Sequence, residues 1–133
     1  MMVENKNKVL IDASAMLSFL FKDESAPQEI KEAFAKFTNY QLELVAPTLL
    51  KSEVGNALRS AVLQKRLTDT VAKKIFNKFL QIPITYIKTL DLKQILTLAI
   101  KTKLSFYDAT YLHTAHSFEL ELLTLDKKLK KLT

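Results

Sequence analysis

The sequence predicts an α/β fold, a parallel sheet of about four to five short strands flanked by helices on both faces. Strand-like and helix-like segments alternate along the whole chain. The strand-like segments are short, continuously apolar runs, as expected for strands that are buried on both faces. No internal repeat, low-complexity tract or linker interrupts the 133 residues, which are the size of one ordinary domain. We therefore expect residues 1–133 to form a single domain.

Each element has its own local signals. The segment KVLI, residues 8–11, is β-branched and apolar, which predicts the first strand. Pro27 suits the first turn of a helix, and Thr68 and Ser105 are good capping residues for later helices. In chain order we expect strand 8–11, helix 15–21, helix 27–37, strand 42–45, helix 48–64, helix 68–80, strand 84–87, helix 91–102, helix 105–118, strand 120–125 and a short last helix from 126.

The composition excludes several classes of protein. Gly55 is the single glycine, whereas dinucleotide-binding and phosphate-cradling loops need several, and there is no cysteine for a disulfide or thiolate metal site. No apolar run reaches the roughly 18 residues of a membrane span. The first residues lack the apolar core of a secretory signal, so a cytoplasmic location without membrane attachment is the default expectation. With 20 basic and 14 acidic residues, the net charge of +6 favours a polyanion such as nucleic acid as partner.

Two aspartates directly follow predicted strands. Asp12 comes after the first strand and Asp126 after the last. In open parallel sheets, ligands bind beyond the carboxyl ends of the strands, so both aspartates would lie at one edge if these strands are neighbours. Alternatively, each aspartate caps the helix that follows it.

Two further carboxylates lie on helix faces that are otherwise apolar. Glu53 is four residues after Leu49 and four before Ala57, within the apolar stripe of its helix. An unpaired carboxylate there is costly unless a cation or hydrogen bonds accompany it. The alternative is a glutamate at the edge of the stripe, which reaches water or a lysine. Asp108 stands on a similar face, and with Ser105 it also forms the capping pattern S-x-x-D, which would still leave a carboxylate oxygen free.

Together these acids predict a negative pocket in a positive surface. Subtracting the four from the 14 acidic residues leaves 10 against 20 basic residues, a formal charge of +10. The positive surface would attract a phosphate backbone, and the pocket would repel it unless cations lie between. Oxygen ligands without cysteine suit Mg²⁺ or Mn²⁺.

At these residues the sequence resembles the PIN-domain ribonucleases, most closely the VapC-type toxins of bacterial and archaeal toxin–antitoxin pairs. VLIDASAML resembles the family's opening strand with its first aspartate, and SEVGNALR resembles the helix that carries its glutamate. YDATYLHTAHSFELELLTLDKKL resembles the family's most recognisable stretch, in which a helix and a strand separate two aspartates. The resemblance spans essentially the whole chain. It assigns the acidic positions to Asp12, Glu53, Asp108 and Asp126, and hydroxyl positions often found beside the metal to Ser14 and Thr124.

The resemblance implies hydrolysis of RNA phosphodiesters by metal-activated water. Asp12 and Asp108 are the expected direct ligands of Mg²⁺ or Mn²⁺, and Glu53 and Asp126 would complete the site directly or through water. Lys128 stands where some relatives carry a further acid, so the number of metal ions stays open. Local turn bonding for Ser14 and strand propensity for Thr124 are the alternatives to a place beside the metal.

Other polar residues near the acids have weaker assignments. His113 and His116 are expected to pack or to face solvent, because this chemistry does not need imidazole. Flanking phosphates could be held by four basic residues, unless these only form a solvated helix face: Lys51, Arg59, Lys65 and Arg66.

The resemblance also implies partners. A VapC-type toxin would bind a cognate VapB-type antitoxin, whose extended tail enters an apolar groove and masks the acids, and homodimers are common in the family. The apolar helix 15–21 could line such a groove or serve the core alone.

Three other functions are open alternatives. A housekeeping PIN nuclease would process RNA without an antitoxin. A PIN-like module that has lost catalysis would only bind partners, although the presence of all four acids argues against it. A phosphoaspartate phosphatase would need a second aspartate where Ser14 stands, and the order of acids does not fit a phospho-receiver domain.

Overall fold

The computed structural model describes residues 7–88 and 91–133. The prediction that no secretory signal is present falls on residues 1–6, outside this part of the chain. Among the described residues, no helix has the length and apolar character needed to cross a bilayer. The elements are β1 (Asn7–Ile11), α1 (Ala13–Leu20), α2 (Gln28–Thr38), β2 (Leu42–Pro47), α3 (Leu49–Leu63), α4 (Asp69–Gln81), β3 (Thr85–Ile87), α5 (Leu92–Thr102), α6 (Phe106–Ser117), β4 (Glu121–Leu123) and α7 (Lys127–Leu132).

The four described strands form one parallel sheet in the order β3-β2-β1-β4. β1 is central and pairs with β2 on one side and β4 on the other, with Val9 opposite both Leu44 and Glu121. The predicted α/β class is therefore confirmed. Because the first and last strands are neighbours, the segments that follow them leave the sheet at the same edge.

Helices cover both faces of the sheet, because successive strand residues point to opposite sides. Val9 and Ile11 pack into one core with helices α1 to α4, in which Phe19 and Phe34 stack with ring centroids 4.0 Å apart. Leu10, between them in β1, packs into a second core with α5, α6 and α7. The continuous apolar runs in the sequence thus reflect burial on two sides.

The predicted caps confirm several helix starts. Thr68 accepts a hydrogen bond from the Val71 N–H at 3.2 Å, and Asp91 accepts one from the Gln94 N–H at 3.1 Å. Such bonds satisfy backbone donors that have no partner within the helix.

The last strand is shorter than predicted. β4 covers residues 121–123 rather than 120–125. At its start, the Leu120 N–H closes the end of α6 by donating to the Ala115 carbonyl at 2.9 Å. Beyond its end, the Leu125 N–H donates to Ser14 Oγ at 2.9 Å, so the backbone there no longer pairs with β1.

Candidate active site

Asp12 lies at the carboxyl edge of the sheet, one residue beyond β1. Its backbone N–H donates to the Leu123 carbonyl at 3.2 Å, which holds it beside the end of β4. Its carboxylate caps α1 by accepting from the Ala15 N–H at 3.0 Å. Only 5% of Asp12 is exposed, and this burial raises its pKa although hydrogen bonds from Thr124, Ser14 and the backbone act in the opposite direction.

The two hydroxyl residues assigned by the resemblance both contact Asp12. Ser14 Oγ donates to Asp12 Oδ1 at 2.7 Å, and Thr124 Oγ1 donates to Asp12 Oδ2. Each hydroxyl also accepts a backbone N–H from the segment after β4: that of Leu125 to Ser14, and that of Asp126 to Thr124 at 3.0 Å. The local turn bonding that was the alternative for Ser14 therefore occurs in its bond to Asp12, whereas Thr124 lies one residue beyond β4, so strand propensity does not account for it. The bond from the Leu125 N–H to Ser14 joins the starts of α1 and α7.

Glu53 lies at the edge of the apolar stripe of α3, whose buried members include Leu50 and Val54. Its Oε1 accepts a hydrogen bond of 2.6 Å from the hydroxyl of Tyr111, which is only 1% exposed and lies 58 residues away in the chain. Burial raises the pKa of Glu53, the Tyr111 hydroxyl lowers it, and the charges of Asp108 and Asp12 raise it further. Glu53 is thus oriented by a neighbouring helix and repelled by two other acids.

Asp108 is the carboxylate that interacts with all the other three. Burial raises its pKa most, followed by the charges of Asp126 and Asp12, and its charge in turn raises the pKa of Glu53. Ser105 caps α6 through a 3.0 Å bond from the Asp108 N–H, so the capping pattern read from the sequence forms. The four predicted acids therefore share one electrostatic neighbourhood.

Asp126 is the most exposed of the four acids and caps the last helix. Its Oδ1 accepts the Leu129 N–H at 3.0 Å, which confirms the capping alternative for this residue. The charge of Asp126 nevertheless raises the pKa of Asp108, so Asp126 belongs to the acid cluster although it caps a helix.

Comparison with known protein families shows to which family the chain belongs. Residues 9–133 match the PIN domain family, with all four acids inside the matched range. The chain belongs to the PIN-domain family. PIN domains are generally nucleases, hydrolases that usually depend on divalent metal ions.

The fold of this PIN domain is similar to that of a solved structure. The crystal structure of PAE2754 from Pyrobaculum aerophilum superposes with a TM-score of 0.74 and 26% sequence identity, over 96% of this chain and 80% of that chain. No curated protein matches the sequence significantly. The comparisons thus support the family and the fold, and the individual site residues rest on the geometry above.

The donor set fits a hard divalent ion in chemistry and charge. Within the described residues, no three histidine, cysteine, aspartate or glutamate side chains are arranged to hold one metal ion. Mg²⁺ needs fewer protein ligands, since it keeps several waters and is usually bound by one or two carboxylates together with substrate phosphates. The predicted ligand group of four carboxylates is not formed among the described residues, and Asp12 and Asp108 are two carboxylates whose charges raise each other's cost of ionisation.

The basic residues predicted to hold phosphates lie at different distances from the acids. Lys51 is exposed in the first turn of α3, two residues before Glu53. Arg59 lies further along α3, and Lys65 and Arg66 follow its end, roughly 18 Å from Glu53 along the helix axis. Of the four, Lys51 is the nearest to Glu53 along α3.

The two histidines bond outside the acid cluster. His113 contacts the Ser117 hydroxyl and His116 contacts the Leu132 carbonyl, each at 3.3 Å. They pack and face solvent as expected.

Two residues at the site were not predicted to act there. Tyr111 was assigned only to the apolar face of α6, although a buried tyrosine usually needs a partner for its hydroxyl and so carried a signal. Lys128 lies close enough to Asp108 to lower its pKa, although its position in the sequence indicated only the loss of an acid. The positive charge of Lys128 thus partly offsets the repulsion among the acids.

Proposed function

We propose that this PIN domain is a ribonuclease that hydrolyses RNA phosphodiesters with Mg²⁺ or Mn²⁺. The observation that supports it best is the convergence of Asp12, Glu53 and Asp108, whose pKa values are all raised by burial and two of them by mutual repulsion. Carboxylates with raised pKa values that lie close together are typical of functional sites. Net charge +6 on the whole chain favours RNA as the polyanion.

In this mechanism, Asp12 and Asp108 hold the ion, and Glu53 and Asp126 complete the site directly or through water. When bound, the ion would supply Lewis-acid chemistry for activating water and for stabilising negative charge on a phosphodiester. Thr124 and Ser14 keep the Asp12 carboxylate oriented toward the sheet edge, while Tyr111 does the same for Glu53. Burial at the sheet edge strengthens each electrostatic interaction there.

The proposal is tested with the purified chain and total cellular RNA. We expect cleavage with Mg²⁺ or Mn²⁺, loss of cleavage with EDTA and recovery when the ion is restored. Asp12→Asn should abolish cleavage. Its metal-free form should be as stable as wild type or slightly more so, because ionised Asp12 has a raised pKa and therefore destabilises the folded state at neutral pH.

A matched control separates chemistry from capping. Asp91→Asn makes the same change at the N-cap of α5, where the carboxylate accepts only from solvent-exposed backbone at the helix start. Asparagine caps almost as well as aspartate, so neither variant should unfold. Activity that persists in Asp12→Asn, or continues through chelation, would overturn the metal mechanism.

We further propose that the nuclease is the toxin of a type II pair, acting in the cytoplasm under a VapB-type antitoxin. A cavity of about 530 Å³ between α1, α2 and α4 supports this, since Phe19, Leu20, Ile30 and Phe34 line it. Helix α1 thus reaches both the core and a groove, where an apolar tail could bind. If a small gene for the antitoxin lies directly upstream, co-expression of its product should suppress RNA cleavage. If no such gene exists, the protein is better assigned as a housekeeping nuclease.

A homodimer is proposed on the exposed face of α5. Leu92, Leu96 and Ile100, at spacings of four residues, are 62%, 52% and 72% exposed. Such a stripe on one helix face is typical of an interface. Light scattering should give twice the 15.2 kDa monomer mass, and Leu96→Glu should return the monomer.

A further inference from the structure

A trough of about 530 Å³ opens beside the carboxylates. Its walls come from the end of β2 and the first turn of α3, the residue after β3, and the starts of α5 and α6. Ser52 and Tyr107, which line it, directly precede Glu53 and Asp108 in the chain. The trough therefore lies beside the helix turns that carry Glu53 and Asp108.

The lining of the trough is positive. Lys51 and Lys88 are both exposed on its wall, and none of the described residues that line it is an aspartate or glutamate. The ammonium group of Lys51 lies 4.4 Å from the centroid of the Tyr86 ring, a contact that holds it near the wall. In the groove between α3 and α4, by contrast, Lys73 is paired with Asp69 at 3.1 Å. The trough thus offers unopposed positive charge to an anion.

Two aromatic side chains also line the trough. Phe106 is 39% exposed and Tyr107 is 56% exposed, both in the first turn of α6. Exposed rings beside lysines favour nucleic acid, because a base stacks on the ring while the lysines hold the phosphates. An apolar protein surface would not need the two lysines.

We propose that this trough binds one unpaired nucleotide of the RNA substrate, next to the phosphodiester at the acid cluster. The base stacks on Tyr107, and Lys51 and Lys88 hold the adjacent phosphates. This subsite rests on the proposed ribonuclease function and makes the enzyme selective for single-stranded RNA. In a duplex each base is paired and stacked on its neighbours, so it cannot enter the trough.

The test measures binding and cleavage separately. A short fluorescein-labelled oligouridine is titrated in EDTA, where anisotropy reports binding without turnover, and the same strand paired with oligoadenosine is titrated alongside. We expect the single strand to bind more tightly. Tyr107→Ala should weaken that binding between about 5-fold and about 150-fold, and Tyr107→Phe should retain it. Lys51→Gln and Lys88→Gln should each lower the slope of log affinity against log salt by about 0.7.

Two controls match these variants. Phe118→Ala removes a ring that is 51% exposed just beyond the other end of α6. Lys101→Gln removes an exposed lysine about 13 Å along α5 from Leu92, the α5 residue at the trough. Both should leave affinity, salt dependence and cleavage unchanged. Thermal unfolding of every variant shows whether a loss of binding is a loss of fold.

Each outcome distinguishes the subsite from the proposed function. If wild type cleaves single-stranded RNA and Tyr107→Ala binds and cleaves it equally well, the subsite is wrong and the ribonuclease stands. If wild type cleaves no RNA but Tyr107→Ala still weakens binding, the subsite stands without the reaction. If Tyr107→Ala turns a dimer into a monomer while binding is unaltered, the trough is an interface between two copies and the subsite is overturned.

Discussion

Replacing Tyr111 with phenylalanine removes one buried hydroxyl and leaves the ring in the core. The hydroxyl donates to Glu53 at 2.6 Å, and a hydrogen bond to a charged group contributes about 1.5–3 kcal/mol. Because Glu53 is half-buried, its oxygen can bind water in the variant. We therefore expect the free energy of unfolding to fall by an amount near the lower bound, about 1.5 kcal/mol. With an unfolding entropy of about 2.1 cal/mol/K per residue over 133 residues, Tm should fall by about 5 °C.

The loss in Tyr111→Phe should depend on pH. Burial holds the pKa of Glu53 above its ordinary value, and the Tyr111 hydroxyl partly offsets this rise. A carboxyl group with a raised pKa lowers the stability of the folded state as pH rises through the interval between its unfolded and folded pKa values. Removing the Tyr111 hydroxyl raises the pKa of folded Glu53 further. The resulting loss in the free energy of unfolding is therefore complete at neutral pH, and it shrinks as the pH falls below the ordinary pKa of glutamate.

Thermal unfolding followed by circular dichroism, in EDTA at neutral and at acid pH, measures both effects. Tyr107→Phe makes the same chemical change four residues earlier on α6, at an exposed ring, and should leave Tm unchanged. The activity of Tyr111→Phe should persist with its acid limb moved to higher pH, because Glu53 must be ionised. An equal loss of stability at both pH values would show that the bond does not depend on the charge of Glu53.

Three further changes test other parts of the molecule. Thr124→Val removes a donor to buried Asp12 and should destabilise the metal-free protein by about 1–3 kcal/mol, measured by urea unfolding at neutral pH. Lys128→Asp replaces a positive charge beside the acids with a negative one and should tighten Mn²⁺ binding about fivefold by calorimetry; unchanged affinity would refute this electrostatic role. Gly55→Ala places a Cβ at an ordinary 3.6 Å from the Phe76 ring in mid-helix and should stabilise the protein by about 0.5–1 kcal/mol, whereas a loss would indicate a clash.

Most of the fold was predictable because its signals are local. The apolar run that contains Leu10 indicated burial on two faces, and the structure places its side chain in a different core from those of Val9 and Ile11. The carboxyl end of β4 was not predictable, because a hydrogen bond from the Leu125 N–H to Ser14 ends the strand. That contact joins residues 111 positions apart, which no local pattern encodes.

The proximity of the four acids was predictable from the sequence, and their catalytic and metal-binding roles stay predictions. Their positions after strands and on helix faces indicated one edge of the sheet, and the structure brings their charges together there. The partners of those acids were not predictable, since Tyr111 reaches Glu53 only through the packing of α6 against the opening of α3. The trough with Lys88 and Tyr107 joins three segments that are distant in the chain, so it too appears only in three dimensions.

The capping and metal-binding alternatives for the acids are compatible. Asp12 and Asp126 both cap helices, and each still takes part in the repulsion that raises the pKa of Asp108. The caps and the hydroxyls of Ser14 and Thr124 stabilise carboxylates whose mutual repulsion would otherwise separate them. The chain thus keeps like charges together by local hydrogen bonds without neutralising them. In the proposed ribonuclease, a divalent ion bound at this edge of the sheet would relieve the remaining repulsion between the carboxylates.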